Sequence, residues 1–169
     1  MWLWVVTVIV VLVGFVAFTG APYVPSKRRD VARAFEELYK LTAKDVLVDI
    51  GSGDGVVLRE AARHGANAVG YEIHPLLVLV AKVLSRGNAH VHVKLANFWR
   101  TPLPDSVTVV YTFGDARDIV KMYARVQHEA TRIGSKLAFI SYAFTVPGIN
   151  PAKTVGAHHL YYIKPLQEG

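Results

Sequence analysis

Val46-Leu-Val-Asp-Ile-Gly-Ser-Gly-Asp-Gly55 organises the reading of this 169-residue chain. Four apolar positions carry one acid, Asp49, and glycines then fall at alternate positions, Gly51, Gly53 and Gly55. A helical pattern follows at once, with Val57, Leu58, Ala61 and Ala62 apolar and Arg59, Glu60 and Arg63 between them. A buried strand, a tight turn and a helix start are therefore expected, the first unit of a parallel α/β sheet. The glycines allow positive φ and close approach of a ligand to the main chain. The helix start beside them presents unpaired N–H groups. A dinucleotide fingerprint would place its third glycine at position 56, where Val56 stands. Asp49 and Asp54 would also repel a diphosphate. They suit a ligand with cationic groups, such as a sulfonium and an α-ammonium.

The pattern Asp-x-Gly-x-Gly-x-Gly, in that strand context, resembles motif I of the class I (seven-β-strand) S-adenosylmethionine-dependent methyltransferases. The alternative is a purely structural turn. If the resemblance holds, the fold is a Rossmann-like, mostly parallel sheet of about six strands with flanking helices, and the cofactor is S-adenosyl-L-methionine.

The length suits one domain with a sizeable core. The chain is 52% hydrophobic, and its first 25 residues supply much of that. Net charge is +6, with every Lys and Arg at position 27 or later. Such a surface can face anionic lipid, an acidic partner or nucleic acid. The absence of cysteine excludes disulfides and thiolate metal sites.

Trp2 to Phe18 contains only Thr7 and Gly14 as non-apolar residues. A helix over 2–20 would span about 28 Å, close to the hydrocarbon thickness of a bilayer. Trp2, Trp4 and Tyr23 sit where interfacial aromatics belong. A cleaved signal peptide fits less well, because no positive residue precedes the apolar run and Pro22 follows the small-residue zone. A buried core helix is the bland reading. Residues 1–20 are thus expected to be a single-pass membrane anchor. Lys27, Arg28 and Arg29 then place the following domain on the cytoplasmic side.

Pro22 and Pro25 keep the linker extended. Ser26 is a good cap for an amphipathic helix from about residue 27 to 41, with Val31, Ala34, Phe35, Leu38 and Leu41 on one face. Residues 21–42 read as linker plus helix, and 43–169 as the catalytic domain. Strands are expected over 67–73, 89–95, 107–113, 136–144 and 155–164, the last at an edge. Helices are expected over 76–84 and 116–133, the second with Ile119, Val120, Tyr123, Val126 and Ala130 on one face. Asp115 is read as its cap, a catalytic role being the alternative. His90 and His92 share a face of the third strand, but with no third ligand nearby they read as structural.

Glu72 closes the second strand 23 residues after Asp49. A carboxylate there can accept both hydroxyls of a ribose; the alternative is a solvated strand-end acid. Asn97-Phe98-Trp99 follows the third strand. Either aromatic can stack on adenine, or both can simply pack the loop.

Taken together, the chain resembles a narrower group. These are the membrane-anchored class I protein-lysine methyltransferases related to the enzymes acting on the ATP synthase c-subunit and the adenine nucleotide translocase. The resemblance rests on the N-terminal apolar run, Pro22-Tyr-Val-Pro-Ser26, Asp49 to Gly55, Gly70-Tyr-Glu-Ile-His-Pro75, Asn97-Phe-Trp99 and Val110-Tyr-Thr-Phe113. It implies that Asp49, Gly51, Ser52, Gly53, Asp54 and Gly55 hold the methionine end of the cofactor. Glu72, with Ile73 beside it, would take the ribose and its surroundings, and Asn97 with Phe98 the adenine. The segment carrying Tyr23 would close over the cofactor. The group usually has Asp where Asn97 stands, so the hydrogen bond to adenine would be neutral and weaker. With one strand expected after the fifth, part of the antiparallel edge would be missing or supplied by a partner.

The implied acceptor is a lysine of a membrane-embedded protein. Its amine must be neutral, which at pH 7 holds for about one molecule in a few thousand. An apolar channel raises that fraction. Tyr23, Tyr111, Phe113, Tyr142 and Phe144 are candidates for its walls, and no general base is visible. Other readings are a methyltransferase on a small molecule, lipid or nucleic acid, or a non-catalytic cofactor-binding membrane protein. No interleaved aromatic and basic stripe favours nucleic acid.

Overall fold

Residues 2, 4, 7, 27–114 and 116–166 are described in the computed structural model. Trp2, Trp4 and Thr7 are helical. The rest of the expected anchor, the Pro-Tyr-Val-Pro-Ser segment with Tyr23, and Asp115 lie outside the described residues. Among the described residues no helix is long and apolar enough to cross a membrane.

Five parallel strands follow in chain order: β1 (Val46–Ile50), β2 (Asn67–Glu72), β3 (Val91–Leu95), β4 (Val109–Thr112) and β5 (Leu137–Tyr142). Two antiparallel strands complete the sheet, β6 (Lys153–Val155) and β7 (His158–Ile163). The spatial order is β3-β2-β1-β4-β5-β7-β6. The sheet therefore has seven strands, not about six, and the antiparallel edge is complete. The extended run expected over 155–164 breaks at Gly156, whose φ of +59° turns the chain into a hairpin. The three-residue β6 is mostly exposed, so it carried no alternation to read. Nor is β7 an edge. It pairs with β5 and β6 and is covered on both sides, by Leu160 on one and by Tyr161 and Ile163 on the other.

Helices cover both faces. On one lie α1 (Arg28–Arg33), a π-helical segment (Ala34–Leu38), α2 (Val56–Arg63) and α3 (Pro75–Leu84). Their Val31, Phe35, Leu58, Val78 and Ala81 pack on Leu47, Ala68 and Val109 of the strands. On the other lies α4 (Ile119–Ile133), which packs Ile119, Val126 and Ala130 against Val48, Val110 and Phe139. Val120, placed on that face by its spacing, is instead 49% exposed. The single helix expected over 27–41 is α-helical only to Arg33. Its wider second part, with Tyr39 N–H donating to Ala34 O at 3.0 Å, buries Ala34, Phe35 and Leu38 together.

Buried acids hold these layers in register. Glu60 accepts from Arg28 at 3.0 Å and Arg63 at 2.9 Å, tying α1 to α2. Glu129 accepts from Leu103 N–H at 3.0 Å and from Arg125 and Arg132, tying α4 to the crossover before β4. Removing either partner would leave a buried charge uncompensated, which is why such groups come paired.

Candidate active site

The carboxyl ends of β1 and β2 carry the site. Asp49 pairs in register with Gly70 of β2 and Tyr111 of β4, so these three positions share the face under α1 and α2. Beyond Ile50, the N–H groups of Gly51 and Ser52 both donate to Tyr71 O, at 2.8 and 3.2 Å. Gly55 N–H donates to Ser52 O at 2.8 Å. The turn closes because Gly51, Gly53 and Gly55 take φ of +74°, +52° and +79°. A side chain at any of them would be strained.

Gly53 N–H donates to Glu72 Oε2 and His74 N–H to Glu72 Oε1, each at 2.9 Å. Glu72 is 5% exposed, so its orientation is set by the main chain. Each oxygen keeps a further lone pair for a ligand hydroxyl. Asp54 accepts from Val56 N–H at 3.1 Å at the start of α2 and meets Arg59 at 3.4 Å. Asp49 is different. It is 3% exposed. Burial first, then Glu72 and Asp54, push its carboxyl well above the usual carboxylate range. No cation faces it among the described residues.

This donor set fits a cationic amino-acid-like ligand beside a ribose. The cradle has one buried acid awaiting positive charge, one acid braced for hydroxyls, and a glycine turn at a helix start. Ile73, 54% exposed, and the exposed Asn97 stand beside Glu72, whose backbone carbonyl accepts from Ala96 N–H at 2.9 Å. Asn97 Oδ1 accepts from Trp99 N–H at 2.9 Å and retains one lone pair. The two aromatics of this loop touch, with ring centroids 5.3 Å apart, but differ in exposure. Phe98 is buried in the core on the α4 face, so its ring offers no free stacking surface, while Trp99 is 43% exposed.

The candidate channel residues also separate. Phe113 and Tyr142, half-buried at the ends of β4 and β5, meet edge to face with centroids 4.7 Å apart. Tyr111 is wholly buried against Phe35 and cannot line an open channel. Phe144 packs on the α4 face, opposite Tyr142. The reversal comes from Ala143, a non-glycine residue at φ +69°.

Two features escaped the sequence reading. Gly70 has no room for a Cβ, which would lie 2.5 Å from Ser52 Oγ and 2.6 Å from Leu58 Cδ1. A glycine inside a buried strand, between Val69 and Tyr71, was the available signal for such close approach. The other is the buried pair of Tyr111 Oη and His158 Nε2, 2.9 Å apart. Burial lowers His158 to a pKa of about 4, so it stays neutral beside the tyrosine. Nothing in the local pattern foretold it, since 47 residues separate the partners.

Comparison with known proteins agrees with this geometry. The lysine N-methyltransferase of the ATP synthase c-subunit from Xenopus laevis is 32% identical over 111 residues, covering 64% of this chain and 48% of that protein. The protein of the same name from Rattus norvegicus is 30% identical over 138 residues, covering 80% and 61%. The chain thus spans roughly half the length of the frog relative and about three-fifths of the rat one. An RNA methyltransferase from Salinibacter ruber, solved with S-adenosyl-L-homocysteine, superposes with a TM-score of 0.75 at 26% identity, covering 86% of this chain and 97% of that one. The model of the ANTKMT methyltransferase domain matches residues 49–153, more than half of the chain. By that match, on a fold and a cradle that agree with it, the chain belongs to the ANTKMT methyltransferase domain family.

Proposed function

We propose that this protein is an S-adenosyl-L-methionine-dependent protein-lysine N-methyltransferase whose acceptor is a membrane or membrane-associated protein. The observation that carries the reading is Asp49, a buried acid with no facing cation among the described residues, in a glycine cradle whose second acid is already braced. The names of the curated relatives support lysine as acceptor.

When bound, the cofactor supplies a methyl group on a sulfonium, already activated for displacement. The chain's own residues then have four tasks. Asp49, with the Gly51-Ser-Gly-Asp-Gly55 turn, takes the ammonium and carboxylate of the methionine end. Glu72 accepts the ribose hydroxyls. Ile73, Asn97 and the loop at Phe98 border the adenine, with Trp99 as the more exposed ring. Phe113 and Tyr142 form an apolar entry that favours the neutral form of an incoming amine. Alignment and desolvation carry the rate, and the released proton passes to water.

Residues 1–20 serve as a single-pass anchor, 21–42 as linker and first helix with Tyr23 closing over the cofactor, and 43–169 as the catalytic domain. Lys27, Arg28 and Arg29 place that domain on the cytoplasmic side. RNA is the competing acceptor, because the Salinibacter ruber neighbour is an RNA methyltransferase.

Binding of isotope-labelled S-adenosyl-L-methionine to wild type and Asp49→Ala tests the cradle, and equal affinity would remove the assignment. Incubation with native membranes and with total RNA, read by mass spectrometry, tests the acceptor. Label on lysine supports the proposal; label confined to nucleosides replaces it.

A further inference from the structure

Residues 73–104 contain Lys82, Arg86, Lys94 and Arg100, three histidines and no acid. The same stretch holds eight of the fourteen large apolar side chains exposed among the described residues. Five of them lie on α3: Leu76, Leu79, Val80, Val83 and Leu84, between 36% and 63% exposed. Their spacing of three and four residues puts them along one outward stripe, while Val78 and Ala81 face the sheet. The neighbouring α2 lies on the same sheet face and does the reverse, burying Val57, Leu58 and Ala61 and turning Arg63 outward. Of these two helices, only α3 presents an apolar stripe outward.

The stripe has a basic margin. Between α3 and the edge strand β3 runs a groove of about 390 Å³, lined by Lys82, Ser85, Val91, His92, Val93 and Lys94. Ser85 is 8% exposed, and its buried Oγ has no hydrogen-bond partner among the described residues. None of Lys82, Arg86, Lys94 and Arg100 forms an ion pair among those residues. Water is a poor neighbour for the stripe, and an apolar protein patch would leave the cations unmatched. A bilayer of anionic phospholipid offers both parts, acyl chains for the stripe and phosphates for the margin.

We infer that α3 and the β3 edge form a docking surface for anionic phospholipid, with the apolar stripe in the headgroup–acyl boundary and the Lys82/Lys94 groove holding a phosphate. The inference rests on the membrane part of the reading above. It adds an orientation. Ile73 and Leu76 stand at the site end of the stripe, next to Glu72, so a domain seated this way keeps the rim of the cofactor cleft at the bilayer surface.

The chain has no cysteine, so single-cysteine probes report without background. The full chain carries an environment-sensitive fluorophore at Val83→Cys, or at Lys121→Cys on α4 across the sheet. Each is mixed with phosphatidylcholine vesicles containing nitroxide lipid, with and without phosphatidylglycerol. Quenching at position 83 is expected to exceed that at 121 by about threefold or more in the anionic vesicles. A second pair of substitutions, Lys82→Glu with Lys94→Glu, is expected to cut the preference for anionic over neutral vesicles by about tenfold. Equal quenching at 83 and 121 overturns the inference, and so does a lipid-free dimer, seen by light scattering, that already shields position 83. S-adenosylhomocysteine binding is measured on the same samples. Binding retained without quenching at 83 overturns the surface alone, and chain that floats with the vesicles under the same result leaves the anchor intact. Loss of binding in unsubstituted protein counts against the methyltransferase reading instead.

Discussion

At the β1–β2 end of the sheet, Asp49 is buried with Glu72 and Asp54 as its charged neighbours. At the β5–β7 end, His158 is buried as deeply with the Tyr111 hydroxyl 2.9 Å away. Both groups are pushed towards their neutral forms, Asp49 upward and His158 downward. The surroundings differ in what they leave undone. His158 is satisfied within the fold, so its burial serves packing. The repulsion at Asp49 is relieved by taking up a proton or by a positive ligand, and no cation within the described residues supplies the second. A site of that kind carries its strain in electrostatics rather than in backbone shape.

The largest expected effect breaks that contrast at the acid. Asp49→Asn keeps the shape and removes the charge. S-adenosylhomocysteine affinity, read by calorimetry, should fall about a hundredfold or more, as for loss of one partner from a buried charged contact. Tm should rise in the same variant. An acid whose pKa is raised on folding stabilises the folded state only while protonated. That contribution is lost as pH rises above the ordinary carboxylate value, so the buried acid costs the ligand-free protein stability near neutrality. In wild type, binding should correspondingly weaken as pH falls through the raised Asp49 value.

Gly70→Ala attacks the same end sterically. The new Cβ meets Ser52 and the wholly buried Leu58, so about 2–3 kcal/mol of stability should go, measured by urea unfolding. Cofactor affinity should drop with it, since Ser52 belongs to the turn.

At the other end, His158 sets an acid limit. Its pKa falls from 6.5 to about 4 on folding, so between those values the unfolded chain takes up the proton first. Stability should therefore decline as pH drops through that window, by on the order of 2 kcal/mol. His158→Gln, which can still meet Tyr111, should flatten the difference between the two pH extremes in thermal melts.

The smallest effect sharpens the picture at the channel rim. Ala143→Gly relieves a left-handed alanine but adds freedom to the unfolded chain, for a net gain of about 0.5 kcal/mol. A loss larger than that would mean the Ala143 methyl itself supports Tyr142 or Phe144.

Much of this was legible beforehand where the signal was local. The glycine turn, the buried strand before it and the acid at the end of β2 each follow from a few adjacent residues whose backbone needs are strict. The β6–β7 hairpin was not legible, because three exposed residues and one glycine give no period. The π-helical turn at Ala34 kept the apolar spacing of an α-helix, so the pattern could not tell them apart. Phe98 and Trp99 were equivalent as letters, and only the packing of the assembled core sent one inward and left the other exposed against it. Tyr111 and Phe144 looked like channel walls because strand position says which end a residue occupies but not which face is open.

Short-range covalent geometry and charge thus fixed the cradle: where glycine must stand, and where acids gather. Which acid is braced and which is left waiting, which helix turns its oily side outward, and which histidine finds a hydroxyl were settled by residues far apart in the chain. Burial and pairing are properties of neighbours in space, and those neighbours exist only once the sheet has assembled.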